Sequence, residues 1–192
     1  MVGLGNPGRR YVRTRHNVGF RVVDRLAARW HVAVTREAHR AVLGEERRDE
    51  ERILLVKPQT FMNASGESLR SLRRFHRFAP GEVLAVHDDI DLPAGRLRVR
   101  MGGGAGGHRG IESLIDVLGE REFVRVRVGV GRPPQGWEVE DWVLGTPGDD
   151  VATLDDAEER AADAVELVVA EGPARAMNRI NQREASHGGS PL

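Results

Sequence analysis

The chain has 192 residues, enough for one domain with a full hydrophobic core, and 40% hydrophobic with 30% charged residues is an ordinary globular balance. It has no cysteine, which excludes disulfides, thiolate catalysis and cysteine-ligated zinc and is compatible with a reducing compartment. Twenty-nine Lys and Arg offset 29 Asp and Glu, no apolar run approaches the roughly 18 residues of a membrane span, and no charged and apolar leader opens the chain, so a cytoplasmic protein is expected.

The expected elements alternate between strand and helix. Residues 2–4 form a short buried strand, and the chain begins almost inside its first motif. Asn17 is placed to cap a helix over residues 18–30, with Phe20, Val23, Ala27 and Trp30 on one face. Residues 32–36 and 38–45 read as strands, the charged stretch 45–51 as a hairpin turn, and residues 53–57 as a strand ended by Pro58. A helix fits residues 65–78, with Leu69, Leu72 and Phe75 as its buried stripe. Strands follow at 83–88 and, after a Pro-Ala-Gly turn, at 96–100. A glycine-rich loop opens a helix over 111–118, and residues 124–130 form another strand. After the Pro133-Pro134 break come a helix over about 150–170 and a last short one from Pro173, a residue suited to a first helical turn. The expectation is an α/β fold: a single domain over residues 1–185, built on a twisted, mostly parallel mixed sheet flanked by helices, with 186–192 as a disordered tail.

Charge is uneven along this frame. Residues 149–171 hold nine acids and one arginine, a net of −8, whereas residues 1–148 hold 25 basic and 19 acidic residues, a net of +6. Lys57 is the single lysine, so the positive charge is almost all arginine, whose fork binds phosphate bidentately. An arginine-rich solvated surface accounts for the same composition.

Five short segments carry the chemistry: GLGNPG (3–8), TRHNVGF (14–20), KPQTFMNASG (57–66), HDDIDLPAG (87–95) and GGGAGGHRG (102–110). Between them they offer Asn6, His16, Asn63, Asp88 and His108: a general base, a carboxylate to orient it, and amide donors, with no plausible metal cluster. That inventory suits activation of water against an acyl group. The glycines at 3, 5 and 8 match the dinucleotide fingerprint by letter, but Pro7 and the polar stretch 9–15 delay the helix that the fingerprint needs. His16 lies in a polar loop before a helix N-terminus, whose partial positive charge disfavours imidazolium; a solvated surface histidine is the plain alternative. Asp88, Asp89 and Asp91 at a strand's C-terminal end could bind Mg²⁺, but without a phosphate loop one carboxylate paired with a histidine is the simpler reading. Asn63 reads as a helix-start residue or an oxyanion donor, and the loop 102–107 as a flexible linker or an anion cradle.

In order, spacing and wording, these segments, together with VRVRVGVGRP (124–133), resemble the bacterial peptidyl-tRNA hydrolases from Val2 to about Asn181. The resemblance implies hydrolysis of the ester joining a peptidyl group to the 3′ end of tRNA, with no metal or cofactor. It implies that His16 is the base and Asp88 its support. Asn6 would discriminate blocked from free aminoacyl esters, and Asn63 would position substrate and water. Tyr11, Phe61 and His108 would contact substrate, and Arg100 with Arg127 would clamp the tRNA 5′-phosphate at the acceptor stem. A monomer is implied. Two departures stand out: Arg109 occupies a position where the family usually has Asn, and the first strand is short. A relative that had lost catalysis and only bound RNA, or a hydrolase of other N-acyl esters, are the competing readings.

Overall fold

The computed structural model describes residues 1–48 and 51–187. Among these, seven strands form one mixed sheet: β1 (Val2–Gly3), β2 (Arg36–Ala38), β3 (Ala41–Arg48), β4 (Glu51–Pro58), β5 (Leu84–Asp89), β6 (Leu97–Met101) and β7 (Val124–Gly129). Their spatial order is β2-β3-β4-β1-β5-β7-β6. The four inner strands β4, β1, β5 and β7 run parallel, while β2, β3 and β6 are joined antiparallel at the two flanks. The helices are α1 (Val18–Arg29), α2 (Ser65–His76), α3 (Arg109–Leu118), α4 (Val139–Leu144), α5 (Val151–Glu171) and α6 (Pro173–His187). The class is α/β, as the alternation of apolar patterns implies.

Each face of the sheet buries its own core. Val124, Val126 and Val128 of β7 and Val86 of β5 meet Val22 and Leu26 of α1 and the alanine-rich side of α5. On the other face Val2, Val56 and Ala85 meet Leu69 and Leu72 of α2 and Ile111 and Leu114 of α3. Strand periodicity then fixes what else lies on that second face: Arg125 and Arg127 alternate with the buried valines of β7. Each fully buried Val or Leu contributes about 1.5–3 kcal/mol relative to exposure. The chain leaves β1 through α1 on one face and enters β5 through α2 on the other. The C-terminal ends of β1 and β5 therefore open a crevice where the connections part, the place at which open α/β sheets bind ligands. Gly19 allows α1 to lie directly on this crevice, because a Cβ there would stand 2.3 Å from Leu4 N and 2.4 Å from the Val86 carbonyl oxygen.

Several sequence expectations change. Residues 32–35 are not strand; Val32 and Val34 pack as irregular chain against Gly44, so their alternation reflected burial without ladder pairing. β3 starts only at Ala41, because His39 and Arg40 both take positive φ (55° and 57°) and form a two-residue hairpin turn. β3 and β4 run on into the charged stretch expected to be a turn, pairing as far as Arg48 with Glu51; the connection itself, residues 49–50, lies outside the described residues. α2 ends at His76 with Arg77 left-handed at its C-cap, and Phe75 is 70% exposed instead of completing the buried stripe. α4 was not foreseen, and α6 is a 15-residue helix rather than a short one. α6 runs through His187; residues 188–192, and with them most of the expected disordered tail, lie outside the described residues. No helix among the described residues is long and apolar enough to cross a membrane.

Candidate active site

A cleft of about 830 Å³ at the C-terminal ends of the inner strands brings together every site residue named from the sequence. Asn6, Tyr11 and His16 enter it from the segments following β1, and Phe61 and Asn63 from the turn before α2. Asp88 stands at the end of β5, His108 and Arg109 at the start of α3, and Arg100 and Arg127 on β6 and β7.

Asp88 is the centre of the cleft's chemistry. Its side chain is 2% exposed, and its oxygens lie 2.8 and 3.0 Å from His16 Nδ1. His108 Nε2 lies 3.0 Å from the same Oδ1. An ionised carboxylate only accepts, so both ring nitrogens carry protons and donate to it. His16 therefore presents Nε2 as its free lone pair. His108 is fixed as the other neutral tautomer, since its Nδ1 accepts from the Ile111 N–H at 3.3 Å and caps α3. His87, buried behind them, donates from Nδ1 to the Asp88 carbonyl oxygen at 2.7 Å and stands edge-on to His108.

The charges follow from these contacts. Burial opposes protonation of His16, but the charge and hydrogen bond of Asp88 outweigh it, and the His16 pKa is raised above its ordinary 6.5. This reverses the expectation drawn from the helix N-terminus: a carboxylate at 2.8 Å outweighs a partial dipole charge. Burial also works against ionised Asp88, yet its two histidine neighbours hold it well below the usual carboxylate range. Burial, with His108 beside it, keeps His87 neutral, its pKa far below 6.5.

The three acids read as a possible Mg²⁺ group are dispersed. Asp88 serves the histidines, Asp89 pairs with Arg127, and Asp91 lies 2.6 Å from Arg132. A different compact group of ligand-type side chains forms instead. Ligand-type atoms of His16, Asp88 and His108 lie within 4.8 Å of one another. A metal there would have to displace both histidine–Asp88 hydrogen bonds, so the three side chains satisfy one another and do not form an open ligand set.

The asparagines divide their work. Asn6 is 7% exposed, and its Oδ1 accepts from the Met62 N–H at 2.8 Å, leaving Nδ2 as its donor toward the cleft. Asn63 is exposed in the same wall, and its amide has no hydrogen-bond partner among the described residues. Asn17 was expected to cap α1, but it makes no cap bond. Its amide grips the backbone of Asn6 at both ends, accepting from Asn6 N–H and donating to Asn6 C=O at 2.9 Å each. The adjacency of Asn17 to His16 in TRHN was the available signal; capping preference hid it.

Arginines shape the rest of the cleft. Arg98 and Arg100 of β6 pair in register with Arg127 and Arg125 of β7. Arg127 is tied through Nε to Asp89, and Arg100 is exposed. Arg125, only 3% exposed, donates to the carbonyls of Gly103 and Gly104 at 2.7 and 2.6 Å and so fixes the glycine loop. Arg10 lies over the Tyr11 ring at 4.6 Å. The far wall is α4, held to the turn bearing His16 by Arg15. That side chain stacks on Trp142 at 3.6 Å, reaches the Thr146 carbonyl at 3.3 Å and donates from Nη2 to both carboxylate oxygens of Asp150 at 3.1 and 3.2 Å. Sequence reading missed Arg15 and α4 because a six-residue helix shows no apolar stripe.

The chain and its fold have known counterparts. A family model described as peptidyl-tRNA hydrolase matches residues 1–187. The chain is 45% identical to a peptidyl-tRNA hydrolase of Brevibacillus brevis, over 94% of this chain and 96% of that protein. It is 48% identical to one of Symbiobacterium thermophilum, over 94% and 97%. The crystal structure of a peptidyl-tRNA hydrolase from Acinetobacter baumannii superposes with a TM-score of 0.87 at 35% identity, covering 94% of this chain and 92% of that one.

Proposed function

The chain belongs to the peptidyl-tRNA hydrolase family and hydrolyses the ester of peptidyl-tRNA, and on that premise we propose that His16 is the general base, oriented by Asp88. The observation that carries this reading is the pair of hydrogen bonds that spend both histidine N–H groups on one buried carboxylate, leaving His16 Nε2 to accept a proton. Water loses a proton to Nε2 as its oxygen bonds to the ester carbonyl carbon. The tetrahedral oxyanion takes hydrogen bonds from the amides of Asn63 and Asn6. Collapse breaks the bond to the ribose oxygen, which recovers the proton from imidazolium and leaves as free tRNA. A positioned base of this kind contributes about 10²–10⁴-fold.

Arg100 and Arg127 hold the 5′-phosphate at the acceptor stem, a contact that carries no base sequence and so serves many tRNAs. Tyr11, Phe61, His108 and Arg109 line the path of the 3′ end. One cleft holds every group the reaction uses, so a single copy suffices, and the substrate places the work in the cytoplasm. The test is release of free tRNA from N-acetyl-aminoacyl-tRNA, with unblocked aminoacyl-tRNA as control. The wild type is expected to cleave the blocked ester preferentially, and His16→Ala to lose about 10²–10⁴ in turnover. A folded protein that binds tRNA but leaves the blocked ester intact would instead be an RNA-binding relative without catalysis.

A further inference from the structure

Arg109 and Glu140 face each other across the mouth of the cleft, with Arg109 Nη2 and Glu140 Oε2 3.4 Å apart. Arg109 is the first residue of α3, and Glu140 lies in the first turn of α4, the opposite wall. Both ends of this contact are anchored. His108, immediately before Arg109, is tied to Asp88, and α4 is pinned by Arg15 to the turn that carries His16. The two side chains themselves are open to solvent, 65% and 62% exposed. Their charges reach the base from the two walls in opposite senses: Arg109 disfavours protonation of His16 and Glu140 favours it.

We propose that Glu140 competes with a backbone phosphate of the substrate for Arg109 and thereby sets how tightly this chain holds RNA at the cleft mouth. An exposed carboxylate–arginine pair is weak and exchanges readily. A phosphate offers the guanidinium two parallel hydrogen bonds and more charge, so it displaces the carboxylate when RNA enters. The phosphate therefore gains Arg109 only by breaking the ion pair, whose strength salt screens over a Debye length of about 10 Å at 0.1 M. Glu140 thus weakens binding at low salt by an amount that depends on Arg109 being present. The proposal rests on the reading that the acceptor end of tRNA enters this cleft.

The test is a double-mutant cycle on the full chain, reading the Kd for deacylated tRNA at low and at physiological salt. Wild type, Glu140→Gln, Arg109→Asn and the double variant are compared. Glu140→Gln is expected to tighten binding by about 2- to 5-fold at low salt, with the gain shrinking at higher salt. In the Arg109→Asn background the same change should have no effect. An equal gain in both backgrounds would make Glu140 a general negative charge near the RNA path, and no gain in either would mean the pair is idle; either result overturns the proposal. Because the readout is binding of tRNA without an ester, a failure to hydrolyse N-acetyl-aminoacyl-tRNA would count against the base assignment and leave this result standing.

Discussion

At the scale of single residues, the cleft works by using up the alternatives of each polar group. Asp88 occupies the N–H of both histidines, so His16 has one nitrogen left to act. Asn6 is oriented in the same way: its oxygen is committed to the Met62 N–H and its backbone to Asn17, so only Nδ2 is offered to a substrate. Asn6→Asp keeps an acceptor for Met62 but loses the donor, whereas Asn6→Ala loses both. Both variants are expected to narrow the preference for N-blocked over free aminoacyl-tRNA, measured as the ratio of kcat/KM values, with Asn6→Asp the better folded of the two. Equal loss on both substrates with the ratio unchanged would assign Asn6 to loop structure instead. The residue types at 6, 16, 63 and 88 were legible in the sequence because each stands in its own short motif. The pairing of His16 with Asp88 across 72 residues came only through the family resemblance, and the grip of Asn17 on Asn6 was hidden because it looks, in sequence, like an ordinary helix cap.

At the scale of elements, the apolar patterns of α1, α2, α3 and the inner strands gave their existence and approximate ends, because packing against the sheet imposes periods of 3.6 and 2 on the residues that touch it. Elements held by polar contacts escaped. α4 buries little beyond Val143 and owes its place to Arg15, whose guanidinium is spent on Trp142, Thr146 and Asp150. The hairpin between β2 and β3 turns on His39 and Arg40, with no glycine to mark the positive φ. Phe75 follows helical spacing yet faces out, against His39 and His76 at ring distances of 5.4 and 4.8 Å. Arg15 therefore makes a discriminating test of what fixes the wall of the cleft. Arg15→Met would keep most of the side-chain volume but leave Asp150 without its cation and the Trp142 and Thr146 carbonyls without their donor. A loss of about 3 kcal/mol is expected, roughly 6–12 °C in Tm, together with reduced kcat/KM well below that Tm as α4 leaves its position beside the base. Full activity in a destabilised variant would show that α4 does not shape the site.

At the scale of the whole molecule, the net charge of zero conceals a division of labour. Much of the acidic run on α5 pairs with α1: Arg21 reaches Glu158 at 2.7 Å, and Arg29 reaches Asp163 and Glu166 at 2.8 and 2.9 Å. On the other face Arg100, Arg125 and Arg127 line the cleft, Arg100 exposed, Arg125 bound to the glycine loop and Arg127 paired with Asp89. Replacing Arg100 or Arg127 by Ala should raise KM for full-length N-acetyl-aminoacyl-tRNA and reduce the slope of log affinity against log salt by about 0.7–0.9 per lost phosphate contact. A substrate truncated before the 5′-phosphate should be nearly unaffected, and equal losses on both substrates would make these arginines structural. The central claim is that neutral His16, held by ionised Asp88, takes the proton from water, and it is tested most directly by the single-turnover rate of N-acetyl-aminoacyl-tRNA hydrolysis against pH, for the wild type and Asp88→Asn. Only the neutral imidazole accepts a proton, and Asp88 raises the His16 pKa, so the wild-type rate should climb with pH through a midpoint above 6.5. In Asp88→Asn the rate should be lower throughout, and burial, now unopposed by the carboxylate, should move the midpoint downward. A wild-type profile flat from about pH 5 to 8, or a midpoint that stays in place when Asp88 loses its charge, would contradict it.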